Sequence, residues 1–184
     1  PKYMQFFVMG GAVIAAGAVF VLGVSYRMER FLIWQHPEKY EKGYQTLQAL
    51  YAIGSGGLFG KGLGAGMQKL GFVPEAQNDM IFSIICEELG LFGAICVILL
   101  FAILIWRFMV IASNAQDLYG ALLVTGVMAH ISIQVILNIA VVSNSIPNTG
   151  ISLPFISYGG TSVLFLMAEI GMALGVSRGI PLEE

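Results

Sequence analysis

Charge is scarce in this chain, and so are cysteine and any run of basic residues. Only 11% of the 184 residues are Asp, Glu, Lys or Arg, where soluble domains carry about 25%. That shortage excludes an ordinary water-soluble domain. The net charge is −2 and no cluster of Lys or Arg forms a face able to neutralise phosphates, which excludes nucleic acid as a partner. Cys86 and Cys96, the two cysteines, lie ten apart in one apolar segment, outside the spacing of a CxxC redox pair or a metal knuckle. Both read as small buried hydrophobes. What the chain has instead is apolar bulk, 57% hydrophobic residues and a mean hydropathy of +0.81. It reads as an integral membrane protein.

Residues 3–26 carry no formal charge and are long enough to cross about 30 Å of hydrocarbon as a helix. Residues 89–106 are a second charge-free run, and the helix carrying it is expected to begin near Asp79. Residues 118–142 form a third run and 161–177 a shorter fourth that contains Glu169. The predicted fold is therefore all-α, one polytopic membrane helix bundle with spans at about 3–26, 80–106, 118–142 and 161–177. An even number of intervening spans puts loop 27–78 and loop 143–160 on the same face, where they can build one site. Arg27, Arg30, Lys39, Lys42, Lys61 and Lys69 lie in the large loop, against Lys2, Arg107 and Arg178 opposite. Charge counting alone would put that loop in the cytoplasm.

In the large loop, "YEKGYQTLQALYAIG" places Tyr44, Leu47, Leu50 and Tyr51 at helical spacing beside Lys42, Gln45 and Gln48. This suits a helix lying in the membrane interface or a surface helix packed on the bundle. The next stretch, "GSGGLFGKGLGAG", has seven glycines but is not a phosphate loop, since that motif needs Gly at 55 and Ser or Thr at 62. Ser55 and Gly62 stand there. Tight turns near the membrane surface are expected, with an anion cradled by the amides as the alternative.

Gly126, His130, Gln134 and Asn138 recur every four residues along the third span, so they share one helical face. That stripe should face the bundle interior, as the wall of a polar cavity or as interhelical hydrogen bonding. His130 reads as a bonded packing residue rather than a metal ligand. Glu169 is mid-span, a functional candidate by default or a protonated, hydrogen-bonded side chain. In loop 143–160, "SNSIPNTGISLPFISYGGTS" is too rich in Pro and Gly for regular helix and survives near membrane depth only if buried or lining a wet cavity. "SYGG" lacks the TVGYG order of a potassium filter.

Together "GYQTLQALYAIGSGGLFGKGLGAGMQKLGFVPEAQNDMIFSIICEELGLFG", "NTGISLPFISYGGTSVL" and "GVSRG" closely resemble the SEDS family, the FtsW, RodA and SpoVE proteins of bacterial cell-wall synthesis. The resemblance runs from about Tyr26 to Arg178, nearest the FtsW and SpoVE branch. It implies a parent of about ten transmembrane helices, of which this chain, opening at Pro1, is the carboxy-terminal part. The implied activity is a peptidoglycan glycosyltransferase that polymerises lipid II into β-1,4-linked glycan strands with a class B penicillin-binding protein. It would work at the outer face of the bacterial cytoplasmic membrane, at the division septum or in shape or spore wall synthesis. Both loops would then be extracytoplasmic, against the charge count. A lipid II transporter, or a non-catalytic scaffold for the penicillin-binding protein, are the competing readings, since polar stripes and broken loops also suit a moving headgroup.

The acidic residue of the family's PEA-x-x-D-x-IF pattern matches Asp79, which the resemblance makes the general base. Relatives often carry Thr-Asp-Phe where this chain has Asn78, Asp79 and Met80. Independently, a partly desolvated carboxylate with a raised pKa suits removal of a sugar hydroxyl proton. A helix-start role at the second span, stabilised by the macrodipole, is its alternative. Glu75 would share a helical face with Asp79 if the segment is helical and raise its pKa, or stabilise the helix start. Glu75, Lys69, Gln77, Ser157, Tyr158, Gly159 and Gly160 are candidates for substrate binding. Glu87, Glu88, Gln134, Asn138 and Glu169 are candidates for cavity lining. The leaving diphosphate needs positive charge, from Lys69, Arg27, Arg30 or a bound Mg²⁺ or Mn²⁺.

Overall fold

The structure is a computed structural model and describes residues 25–180. The first expected span, 3–26, lies outside the described residues but for its last two. Secondary structure among the described residues is helical, without strands. The chain divides into two compact units, 1–44 and 45–184.

In the first unit, α1 runs Ser25–Gln35. It stops where Pro37 follows, because the residue before proline is pushed out of the helical region. Two 3₁₀ turns, Pro37–Lys39 and Glu41–Gly43, continue the chain, and Phe31 meets Trp34 edge to face at 6.0 Å.

The rest of the described chain holds α2 (Tyr44–Gly56), α3 (Ile81–Ser113), α4 (Leu118–Val142) and α5 (Gly160–Arg178). The last three are long and apolar enough to cross a membrane, and they make this a membrane protein. They cover the second, third and fourth expected spans, α3 running on past the expected end at 106. Val124, Val127, Ile131 and Val135 are buried along one face of α4, the three- and four-residue spacing of an amphipathic helix. They join Phe101 and Phe108 of α3 and Leu166 and Ala173 of α5 in one core. Leu99, Leu100, Ile103, Leu122 and Phe165 face outward, as lipid contact requires. Cys86 is buried, Cys96 is half-buried, and neither is in a disulfide.

Helix α2 buries its face of small residues. Thr46, Ala49, Ala52 and Gly56 are buried, while Tyr44 and Tyr51 are exposed. Small residues allow close backbone approach, and the larger apolar side chains are left facing outward, as an interfacial helix would present them.

The glycine segment is built against a break in α3. Gly90 has φ 66 and ψ −164, which interrupts the helical ladder and frees backbone groups on both sides. The loop pairs with them: Lys61 and Gly62 amides donate to the Glu87 and Glu88 carbonyls at 3.0 and 2.9 Å, and Leu91 and Phe92 amides donate to Gly57 and Leu58 carbonyls at 2.9 and 3.1 Å. Backbone lies directly on backbone here. A Cβ at Gly90 would come within 2.3 Å of the Gly60 amide nitrogen, and one at Gly60 within 2.1 Å of the Glu88 carbonyl oxygen. Both glycines also have positive φ, so glycine is required twice over.

Candidate active site

The same loop explains Glu87 and Glu88. The wholly buried Glu87 carboxylate accepts from Lys61 Nζ at 2.8 Å and from the Met67 and Gln68 amides at 3.1 Å each. Glu88 accepts from Lys69 Nζ at 2.5 Å and the Gly64 amide at 3.0 Å. Of the glycine segment, the Gly64 amide meets an anion, and that anion is the chain's own Glu88 carboxylate. Glu87 and Glu88, candidates for cavity lining, are thus engaged by the loop. Lys69, a candidate for substrate binding, has its ammonium on Glu88 and is partly exposed. Two of the basic residues that argued for a cytoplasmic loop, Lys61 and Lys69, are thus neutralised within the fold.

Residues 71–80 are successive turns, and α3 begins only at Ile81. Glu75 has φ 50, so it cannot share a helical face with Asp79 as the sequence spacing allowed. Its carboxylate accepts from Asn78 Nδ2 at 3.0 Å. Nor does either acid lie inside a helix: Met80 is the N-cap, without a side-chain cap, and the first turn of α3 holds no acidic residue. Asp79 thus stands just before the N-cap and makes no capping hydrogen bond.

Asp79 is half-buried, and Gln45 Nε2 of α2 donates to its Oδ1 at 3.3 Å. Burial pushes its carboxyl above the ordinary aspartate value, with the charge of Glu75 adding to the rise; its own backbone amide and Gln45 oppose it. Gly150 of the second loop approaches it, an added Cβ there lying 4.0 Å from Asp79 Oδ2. Gln45 was visible in the sequence only as one polar residue of a helix, and nothing in its spacing pointed to Asp79.

Asn138 joins the two loops from below. Wholly buried on α4, it donates through Nδ2 to the Asp79 carbonyl at 2.8 Å and to the Ile151 carbonyl at 2.7 Å. Both acceptors are carbonyls, so the amide orientation is fixed by chemistry. Asn138 is a brace, where the sequence made it a cavity residue. Gln134 is half-buried one turn away, but His130 and Gly126 are exposed among the described residues. Within this chain the stripe is thus covered at its Asn138 end and open at its Gly126 end. His130 Nδ1 lies 3.0 Å from both carboxylate oxygens of Glu169, which links α4 to α5.

The two loops also meet directly, the Tyr158 amide donating to the Gln77 carbonyl at 2.8 Å. Beside this contact lies an open groove of about 470 Å³ lined by Gln77, Ile81, Ser157, Tyr158, Gly159 and Gly160, among others. Five of the predicted substrate residues thus come together. Ser157 is buried and its hydroxyl accepts from the Leu153 amide at 2.7 Å, so it shapes the loop, while Tyr158 is 78% exposed. Gly159 precedes α5 with no side-chain cap, and the first-turn amides of a helix have no intrahelical acceptor. Asp79 itself faces Gln45 and Gly150 and is not part of this lining. No group of three or more His, Cys, Asp or Glu that could hold a metal ion occurs among the described residues.

Comparison with known proteins bears on what this arrangement serves. Residues 2–180 match the family FtsW, RodA and SpoVE, described as cell cycle protein. Stage V sporulation protein E of Bacillus subtilis is 46% identical over 94% of this chain and 48% of its own length. A probable peptidoglycan glycosyltransferase FtsW of Trichlorobacter lovleyi is 42% identical over 96% of this chain and 47% of its own. Among solved structures, a chain from a study of structural coordination of polymerization and crosslinking by a peptidoglycan synthase complex aligns with TM-score 0.75 and 25% identity, covering 99% of this chain and 50% of that one. The chain spans about half the length of the relatives it matches.

Proposed function

The chain belongs to the FtsW, RodA and SpoVE family of cell cycle proteins, and from that premise we propose that the whole protein is a peptidoglycan glycosyltransferase acting on lipid II, with Asp79 as general base. The observation that carries the reading is Asp79: a half-buried carboxylate with raised pKa, without a capping hydrogen bond, braced through its backbone by a buried asparagine where two loops meet.

In the proposed reaction Asp79 takes the proton of the acceptor sugar's 4-hydroxyl as that oxygen bonds to the donor's anomeric carbon. The bond from that carbon to the diphosphate oxygen breaks at the same time, the electron pair leaving with the diphosphate, and the α linkage becomes β. A base whose pKa is raised toward the working pH keeps more driving force for such a transfer. The diphosphate leaves without protonation, and the groove at Gln77, Gly159 and Gly160 is our candidate cradle for it. Free amides and the dipole at the start of α5 favour an anion there, and glycine lets it approach. Lys69 is committed to Glu88 and is not assigned this role. A divalent cation, Mg²⁺ or Mn²⁺, would have to draw most of its ligands from the substrate's phosphate oxygens, and no step is routed through it.

We further assign the two loops to the outer face of the bacterial cytoplasmic membrane, at the septum or another site of wall growth, with a class B penicillin-binding protein as partner. The transporter reading has the membrane-depth pair His130 and Glu169 in its favour. The deciding assay offers labelled lipid II to the whole protein and its partner in detergent, where no second leaflet exists. Glycan strands are expected; a folded complex that binds lipid II and makes none would favour transport.

A further inference from the structure

A second groove lies on α3, within its charge-free stretch. It is an open groove of about 190 Å³ lined by Val97, Leu100, Phe101, Leu104, Phe155 and Ile156. Every lining side chain is a hydrocarbon, so nothing there recognises a polar group.

Three observations say what it fits. First, Ile156 lines both this groove and the polar groove of Gln77 and Gly159, so the two are neighbours across one side chain. Second, the apolar groove sits along 97–104, in the part of α3 that a bilayer would cover, whereas the polar groove sits at the start of α3 and α5. Third, Phe155 is held at φ 62, a conformation that costs a bulky residue and persists where the surroundings impose it, commonly at ligand sites. Along Pro154–Gly160 the chain thus turns two hydrophobes to one groove and Ser157, Tyr158 and the glycines to the other. A ligand that fills both has an anionic head and an attached hydrocarbon chain.

Resting on the lipid-linked substrate proposed above, we infer that the groove at Val97, Leu100, Phe101, Leu104, Phe155 and Ile156 receives the first isoprene units of a polyprenyl diphosphate whose phosphates occupy the polar groove. A dry cavity of about 150 Å³ holds a six-carbon ring, so this volume accommodates about one or two five-carbon units. Holding them fixes the depth at which the diphosphate enters the bilayer surface.

The test uses the whole protein with its penicillin-binding partner in detergent and a polyprenyl diphosphate bearing a diazirine on its second isoprene unit. After irradiation, peptide mapping is expected to find the label on residues 97–104 and 155–156. Excess unlabelled polyprenyl diphosphate should remove it, and an equal excess of phospholipid should not. Val97→Trp, or Leu104→Trp if the first fails to fold, should lower labelling about tenfold by displacing a few methylene contacts. Label placed elsewhere, or label in the groove displaced equally by phospholipid, overturns the inference. The same samples are assayed for glycan strands: strands with label elsewhere sink the groove alone, whereas groove labelling without strands sinks the glycosyltransferase reading and leaves a polyprenyl site.

Discussion

Asp79 answers to neighbours of opposite effect. Burial and the Glu75 charge raise its pKa from the ordinary 3.8, and Gln45 stabilises the anion. Because only the deprotonated form can act as base, the acid limb of the pH–rate profile should lie above the ordinary aspartate range. Glu75→Gln removes a negative charge and should move that limb to lower pH; Gln45→Leu removes a hydrogen bond to the anion and should move it higher. Shifts of the same sign in both variants would contradict the assignment. A pKa raised in the folded state also means that folding favours the protonated form, so this contribution to stability is lost as pH rises from the unfolded toward the folded pKa. Asp79→Asn should therefore keep or raise Tm at neutral pH. Asn138→Ala leaves two carbonyls without their donor, at about 1–3 kcal/mol for each that stays unsatisfied; a lower Tm and a lower kcat are expected together, read by thermal unfolding and polymerisation rate.

At the scale of elements, the break in α3 and the glycine segment are one unit, a loop backbone that completes a helix backbone and is locked by Glu87 on Lys61, Met67 and Gln68. Gly90→Ala places a Cβ against the Gly60 amide and requires an unfavourable φ, so limited proteolysis between residues 57 and 69 should quicken. Glu87→Leu should do the same by stripping acceptors from two amides and Lys61. Resistance equal to wild type in both would deny the lock. The long charge-free runs made α3, α4 and α5 legible in the sequence, because length and apolarity alone set a spanning helix. The lock was not legible, since it depends on where Gly57–Gly62 meets a helix some thirty residues on. Asn138 was legible as a polar residue at membrane depth, but its partners, Asp79 and Ile151, come from loops that no periodicity connects to it.

For the molecule as a whole, the relatives are about twice as long, and the catalytic account concerns the protein that contains this chain. Three apolar helices carry two irregular loops that meet at one end, where an acid with raised pKa and a groove at the start of α5 lie, with an apolar groove beyond them along α3. Charge supports this arrangement by its economy: Lys61, Lys69, Glu87 and Glu88 are spent on holding the loop, and His130 on Glu169. Asp79 is half-buried, has a raised pKa and takes a side-chain hydrogen bond from Gln45, which is why the central claim rests on it. The most direct measurement is the rate at which the whole protein and its penicillin-binding partner polymerise labelled lipid II, wild type against Asp79→Asn, with Tm taken on the same samples. The account predicts a loss of about 10²–10⁴-fold at an unchanged or higher Tm. Polymerisation at the wild-type rate by the folded variant would contradict it.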